Sequence, residues 1–166
     1  FSTLHTNDAA SAISRLYKMG IEPFLIAYAI NLVVAQRLIR KLCGECKRPV
    51  EDPDLVLLKN LGFTEEERAQ VASGELVLYE EGEDDGCSRC RGLGYKGRRA
   101  VAEALYFSRR IRHMVADAAE EKLDEMAVKA AAQEEGMLTL QDSARTVVKA
   151  GESSVREMMR VISTDT

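Results

Sequence analysis

Leu32-Val33-Val34-Ala35-Gln36-Arg37-Leu38-Ile39-Arg40-Lys41-Leu42-Cys43-Gly44-Glu45-Cys46 is the stretch on which the fold turns. It is rich in aliphatic and β-branched residues, and its second part reads as a strand. That strand delivers the chain into a Cys-x-x-Cys turn. Forty residues later comes a second turn of the same spacing, Cys87-Ser88-Arg89-Cys90, and the chain holds no other cysteine. Each such turn aims two thiolates at one point. Two of them supply the four soft sulfur ligands that tetrahedral zinc takes. Cys43, Cys46, Cys87 and Cys90 are therefore the candidate ligands of a closed structural zinc site. Gly44, Gly92 and Gly94 let the backbone turn tightly enough for amides to donate to sulfur, and Lys41, Lys47, Arg48, Arg89 and Arg91 offset thiolate charge. Two redox-active pairs of thioredoxin type are the competing reading. That reading needs a separate reason for two identical pairs, and neither pair opens a helix after a strand. A catalytic zinc would need an open ligand position, which four cysteines do not leave.

The totals narrow the class. The 166 residues are 46% hydrophobic and 30% charged, enough for one domain with a core or two small ones. The net charge of −4 and pI of about 5.4 argue against a general nucleic-acid binder, which would carry a basic face. No stretch approaches the ~18 uninterrupted apolar residues of a membrane span. The longest apolar segment, from Ile21 to Ile39, is broken by Glu22, Pro23, Asn31, Gln36 and Arg37. There is no signal peptide. The chain opens on Phe1 and a strand-like run with no lead-in, so it reads as a piece of a longer protein. Paired Cys-x-x-Cys turns without secretory features favour a reducing compartment.

Along the chain, Phe1 to His5 reads as the end of a buried strand. Asn7-Asp8 caps a helix through Ala9, Ala10, Ala12, Ile13 and Leu16 that stops at Gly20. Glu22-Pro23 starts a second helix. Between the cysteine pairs, short helices are expected near Asp54 to Leu61 and from Thr64 to Ser73. Thr64-Glu65-Glu66-Glu67 has the form of a capping box. Glu80 to Asp85 reads as a solvated acidic loop. Ala100 to Phe107 reads as a strand. Helices follow at Arg109–Ala118, Leu123–Glu135, Leu138–Ala150 and Ser154–Val161, with Gly136 and Gly151 as stops.

A phosphate loop is absent. The nearest approach, Gly92 to Arg99, has arginine at both the lysine and the hydroxyl positions and follows a cysteine turn instead of a buried strand. His5 sits among hydroxyl, amide and carboxyl groups at a strand end before a helix start, where α/β proteins place ligand-contacting residues. A lone histidine there is otherwise structural. His113 reads as a surface residue beside Arg110 and Arg112, and Met114, Met126, Met137, Met158 and Met159 read as packing. Cys-x-x-Cys-x-Gly-x-Gly at 87–94 is similar to the zinc repeat of Hsp40-class chaperones, which carry several copies; one copy does not make that family.

Four segments in order resemble the hexameric ATPases that drive type II secretion and type IV pilus assembly. Ser2-Thr3-Leu4-His5-Thr6-Asn7 resembles their His box. Ala35-Gln36-Arg37-Leu38 before Cys43 resembles the stretch that leads into their tetracysteine motif. Gly94-Tyr95-Lys96-Gly97-Arg98 with Glu103-Ala104-Leu105 resembles the segment that follows it, although Arg99-Ala100 stands where the family has glycine. Gly136-Met137-Leu138-Thr139-Leu140, Gly151-Glu152-Ser153-Ser154 and Arg160-Val161 resemble the C-terminal helices. The wording near Asn7-Asp8 and Asn31 to Val34 is slightly closer to the pilus-assembly branch (PilB type) than to the secretion branch (GspE type).

The resemblance implies an α/β fold: the C-terminal part of a RecA-like P-loop ATPase domain with an inserted tetracysteine zinc module and a helical C-terminal subdomain. It implies residues 1–42 as core, 43–92 as the zinc insertion, 93–107 as a returning strand and 108–166 as the helical subdomain. The parent would be a cytoplasmic homo-hexamer, peripheral at the inner membrane. It would use ATP and Mg²⁺ to move an inner-membrane platform protein, with no nucleic-acid partner. His5 would lie near the nucleotide γ-phosphate, and the zinc loop would be structural and a docking surface. The Walker loops would precede Phe1, so these residues alone would not hydrolyse ATP. The alternative is a free-standing zinc-stabilised interaction module with no enzymatic activity.

Overall fold

The computed structural model describes residues 2–82, 86–118 and 123–162. They form a mixture of helices and short sheets that divides into two compact units. One comprises Phe1–Gln36 with Ala102–Leu140, the other Arg37–Val101 with Gln141–Thr166.

The first unit begins with α1 (Ala9–Lys18). Asp8 starts it: its carboxylate accepts the Ser11 amide at 2.8 Å, and Ser11 Oγ accepts the Asp8 amide in return. A second helix, α2 (Pro23–Ala29), opens on proline, whose missing N–H is no loss in a first turn. Its end is held by Arg112 of α5 (Arg109–Ala116), which donates to the Ala27 carbonyl and, at 2.8 Å, to Asn31 Oδ1. A cation at a helix C-terminus meets the negative end of the dipole. The helix α6 (Glu125–Glu134) starts on Asp124, which accepts the Ala127 amide. The inward faces of these helices meet in one apolar cluster that includes Ile13, Ile26, Leu105, Phe107, Ile111 and Val128, all 2% exposed or less. Burial on that scale stabilises by roughly 1.5–3 kcal/mol per large side chain.

Residues 2–5 form no strand and are exposed; Phe1 lies outside the described residues. A strand needs a neighbour to take its backbone groups, and no described strand of this unit pairs with that segment.

Two long strands, β1 (Leu32–Leu42) and β4 (Tyr95–Tyr106), pair with each other. The Phe107 amide donates to the Asn31 carbonyl and the Cys43 amide to the Gly94 carbonyl, so the pairing is antiparallel. Along β4 and into Phe107 the inward row is Val101, Glu103, Leu105 and Phe107, the period of two that a half-buried strand requires.

In the second unit, β2 (Arg48–Pro49) pairs antiparallel with β3 (Tyr79–Glu80), Arg48 opposite Glu80. Asp54 caps α3 (Leu55–Asn60) by accepting the Val56 and Leu57 amides, each at 2.9 Å. Thr64 and Glu67 form the expected capping box on α4 (Glu65–Ser73). Glu67 then does a second job. It accepts Lys149 at 2.5 Å from α7 (Leu140–Lys149), which also places Arg145 3.6 Å away. The last helix is α8 (Val155–Ile162). Of the acidic run expected to be a solvated loop, Glu83 to Asp85 lie outside the described residues. Glu80 and Glu81 are not free in solvent. Arg48 donates to Glu80 at 2.9 Å, while Glu81 accepts Arg156 at 2.8 Å and the Tyr95 hydroxyl at 2.7 Å. Cations contributed from distant segments pair with these two carboxylates.

Candidate metal centre

Both cysteine turns belong to the second unit, and the backbone builds each as a knuckle. In the first, the Lys47 amide donates to the Cys43 carbonyl at 3.0 Å. In the second, the Arg91 amide donates to the Cys87 carbonyl at 2.8 Å, with Arg91 in the left-handed region at φ 56°. That conformation costs a non-glycine residue about 1–2 kcal/mol and is held by the turn around it. The knuckles are laced together by the Cys43 amide bond to Gly94 and by close packing of Gly82. A Cβ on Gly82 would stand 1.8 Å from the Cys46 carbonyl oxygen, so only glycine fits there.

The four Sγ atoms lie within 4.8 Å of one another. Cys43 Sγ is 3.8 Å from Cys87 Sγ, and Cys46 Sγ is 3.6 Å from Cys90 Sγ. A tetrahedron of sulfurs around zinc, at ~2.3 Å from the metal, has edges of about 3.8 Å. These two distances therefore match that edge, and all four sulfurs are close enough to share one metal. Cys43, Cys87 and Cys90 are buried and Cys46 is half-buried. Their acidities divide. The Glu45 amide, joined by the Cys46 amide, outweighs burial and brings Cys43 down to about 7. Burial, then the neighbouring sulfurs of Cys90, Cys43 and Cys87, pushes Cys46 up to about 12. At Cys87 the Cys90 amide favours the thiolate, but burial and the adjacent sulfurs outweigh it and the thiol is raised. Four thiolates this close resist joint ionisation unless a cation sits among them. The site can take a metal through all four sulfurs, and that leaves no open position for chemistry on it.

Residues 1–160 match the family model described as type II/IV secretion system protein. The chain belongs to that family. Among its relatives, a type IV pilus assembly ATPase PilB of Acinetobacter baylyi is 40% identical over 162 residues, covering 98% of this chain and 26% of the relative. A type IV pilus assembly ATPase PilB of Thermus thermophilus is 39% identical over 159 residues, covering 95% and 16%. A type II secretion system ATPase E of Vibrio cholerae is 35% identical over 163 residues, covering 96% and 29%. This secretion-family chain thus spans less than a third of the length of each.

In the secretion-family chain the candidate residues are not one constellation. The four cysteines converge. His5 belongs to the first unit, exposed in the segment before α1, and His113 is exposed on α5. No helix among the described residues is long and apolar enough to cross a membrane. Sequence reasoning missed two buried carboxylates. Glu103 is 1% exposed on the inward row of β4. Glu157, 0% exposed on α8, accepts the Arg40 side chain at 2.5 Å, the Arg40 amide at 3.2 Å and two Arg160 nitrogens. Burial pushes Glu157 up, but the Arg40 and Arg160 guanidinium groups and the Arg40 amide more than offset it, leaving it at about 2. A signal existed for each: the acid stands at an apolar position of the local period, two residues from Val101 and Leu105, or one before Met158 and four before Val161.

Proposed function

We propose that the whole protein is a motor ATPase that powers type IV pilus assembly, with type II secretion as the sister role. The observation that carries this is end-to-end similarity to proteins named as ATPases of those two machines, at 40% and 39% for the two pilus relatives and 35% for the secretion relative. Residues 1–42 and the returning strand at 93–107 contribute to a RecA-like core. The phosphate loop that these 166 residues lack belongs to another part of the protein. His5 contacts the nucleotide near its γ-phosphate. The protein works as a homo-hexamer on the cytoplasmic face of the inner membrane and pushes on a platform protein there.

Cys43, Cys46, Cys87 and Cys90 hold a structural zinc; a closed four-sulfur site cross-links the chain and supplies no reactive position. The chain's own groups do the rest. The Glu45 and Cys46 amides favour the Cys43 thiolate. Gly82 and Gly94 let the segments approach closely enough for the two knuckles to meet.

The test is made on the whole purified protein. It should hydrolyse ATP only with Mg²⁺, carry one zinc per chain, and lose most turnover in His5→Ala with zinc retained. The 166 residues alone should not turn ATP over. Whole protein without ATPase activity overturns the motor reading; turnover by the 166 residues overturns the placement of the phosphate loop elsewhere. Deleting the gene should abolish surface pili, and lost secretion with intact pili would move the protein to the sister role.

A further inference from the structure

The inward row of β4 and the residue after it is Val101, Glu103, Leu105 and Phe107, with exposures of 0%, 1%, 0% and 1%. A carboxylate in such a row costs free energy unless both oxygens find donors. They do. Oε1 accepts the Ala9 amide at 3.0 Å, and Oε2 accepts the Leu140 amide at 3.2 Å. Ala9 and Leu140 are the first residues of α1 and α7. Both amides belong to the set that a helix cannot satisfy within itself. One side chain therefore closes two helix starts, 94 and 37 residues away along the chain. Acceptor oxygens also suit the positive ends of both helix dipoles.

The start of α1 is held from other sides as well. Asp8 accepts Lys129 Nζ of α6 at 2.9 Å, and the Thr6 hydroxyl donates to the Asp8 carbonyl at 3.2 Å. The segment that carries His5 leads directly into this pinned point.

We infer that Glu103 is a positioning residue. Through its two oxygens it ties the Ala9 amide, and with it the turn that follows the His5 segment, to the Leu140 amide within the same unit. Its effect on turnover rests on the role proposed for His5; the tie itself does not.

Hydrogen exchange on the whole protein tests the tie. Glu103→Gln keeps the shape and one acceptor oxygen, but turns an NH₂ donor toward one of the two amides. The amide left facing that donor, Ala9 or Leu140, should then exchange about tenfold faster, with α2 and α8 unchanged. Ser11→Ala loosens only the α1 cap and should leave Leu140 at its wild-type rate. Unchanged exchange at both Ala9 and Leu140 in Glu103→Gln, or protection lost throughout the chain, overturns the tie. Turnover tests the positioning. Glu103→Gln should lower kcat about tenfold with KM for ATP unchanged, and the double variant with His5→Ala should be no slower than His5→Ala alone. Effects that multiply, or a raised KM, overturn the positioning role. Wild-type turnover in His5→Ala overturns the role of His5, and exchange then decides the tie by itself.

Discussion

In the first unit the core cluster is hydrocarbon, with Ile13, Ile26, Leu105, Phe107, Ile111, Val115 and Val128 meeting beside the buried row position of Glu103. In the second, the innermost groups include Glu157 and three cysteines, and ion pairs bind the segments to one another. Arg40 lies over the Tyr95 ring at 4.1 Å while its guanidinium reaches Glu157, and the Tyr95 hydroxyl meets Ser154 Oγ at 2.8 Å. Hydrocarbon burial responds to temperature and denaturant but hardly to pH or chelators. A centre of thiolates and carboxylates responds to both. The two units should therefore answer different insults.

Metal removal should make the largest difference, since structural zinc in small domains contributes about 10–16 kcal/mol of apparent binding free energy. A strong chelator should strip hydrogen-exchange protection from 37–82 and 86–101. The loss should extend to α7 and α8, because Leu42 donates to the Glu152 carbonyl, Lys47 to Gly151 and Ser153 to Arg40. Protection in α1, α2 and α5 should persist. Equal loss in both units would erase the contrast.

Phe107→Ala should be next, costing roughly 3–5 kcal/mol through the lost side chain and the cavity it leaves. Denaturant unfolding should show the first unit weakened, with zinc content and pH dependence as in the wild type. A change in zinc affinity would contradict the division.

Glu157→Ala should cost less, about 2–3 kcal/mol, below the ~3–5 of a fully buried pair. Arg40 and Arg160 keep 44% and 57% of their side-chain exposure, so water compensates part of the loss. The pH dependence has a definite sign. Glu157 falls from an ordinary 4.5 to about 2 on folding, so its contribution is full above about 4.5 and disappears as pH falls toward 2. Acid titration should weaken the second unit through that window, and Glu157→Ala should flatten the slope. An unchanged slope would remove Glu157 from the account.

Much of the local structure was legible beforehand. The capping box at Thr64, the N-cap at Asp8, proline at the start of α2, and the stops at Gly20, Gly136 and Gly151 follow from short-range preferences, and the three glycines take positive φ as such stops require. The cysteine spacing announced a common metal site, and the sulfurs converge. Other features were not legible. The apolar run by itself starts the strand at Ala100, but β4 starts five residues earlier at Tyr95, because pairing with β1 carries it through Lys96, Gly97, Arg98 and Arg99. Glu80 and Glu81 resemble a solvated run until Arg48 and Arg156 are brought to them. Gly82 carries no signal at all, since its close approach is to a carbonyl on another segment.

By itself the sequence determined where helices start and stop, which four residues can share a metal, and which family the chain resembles. These depend on interactions within a few residues or on a fixed spacing of one residue type. Only the tertiary structure decided that α5 and α6 pack with α1 and α2, while α7 and α8 join the segments around the cysteines. It alone placed Glu103 and Glu157 among the buried groups, the most buried carboxylates of the described residues. Their partners lie 94 and 117 residues away, and no local preference reaches that far. Packing brings the amides and guanidinium groups to them, and only then is a buried carboxylate affordable.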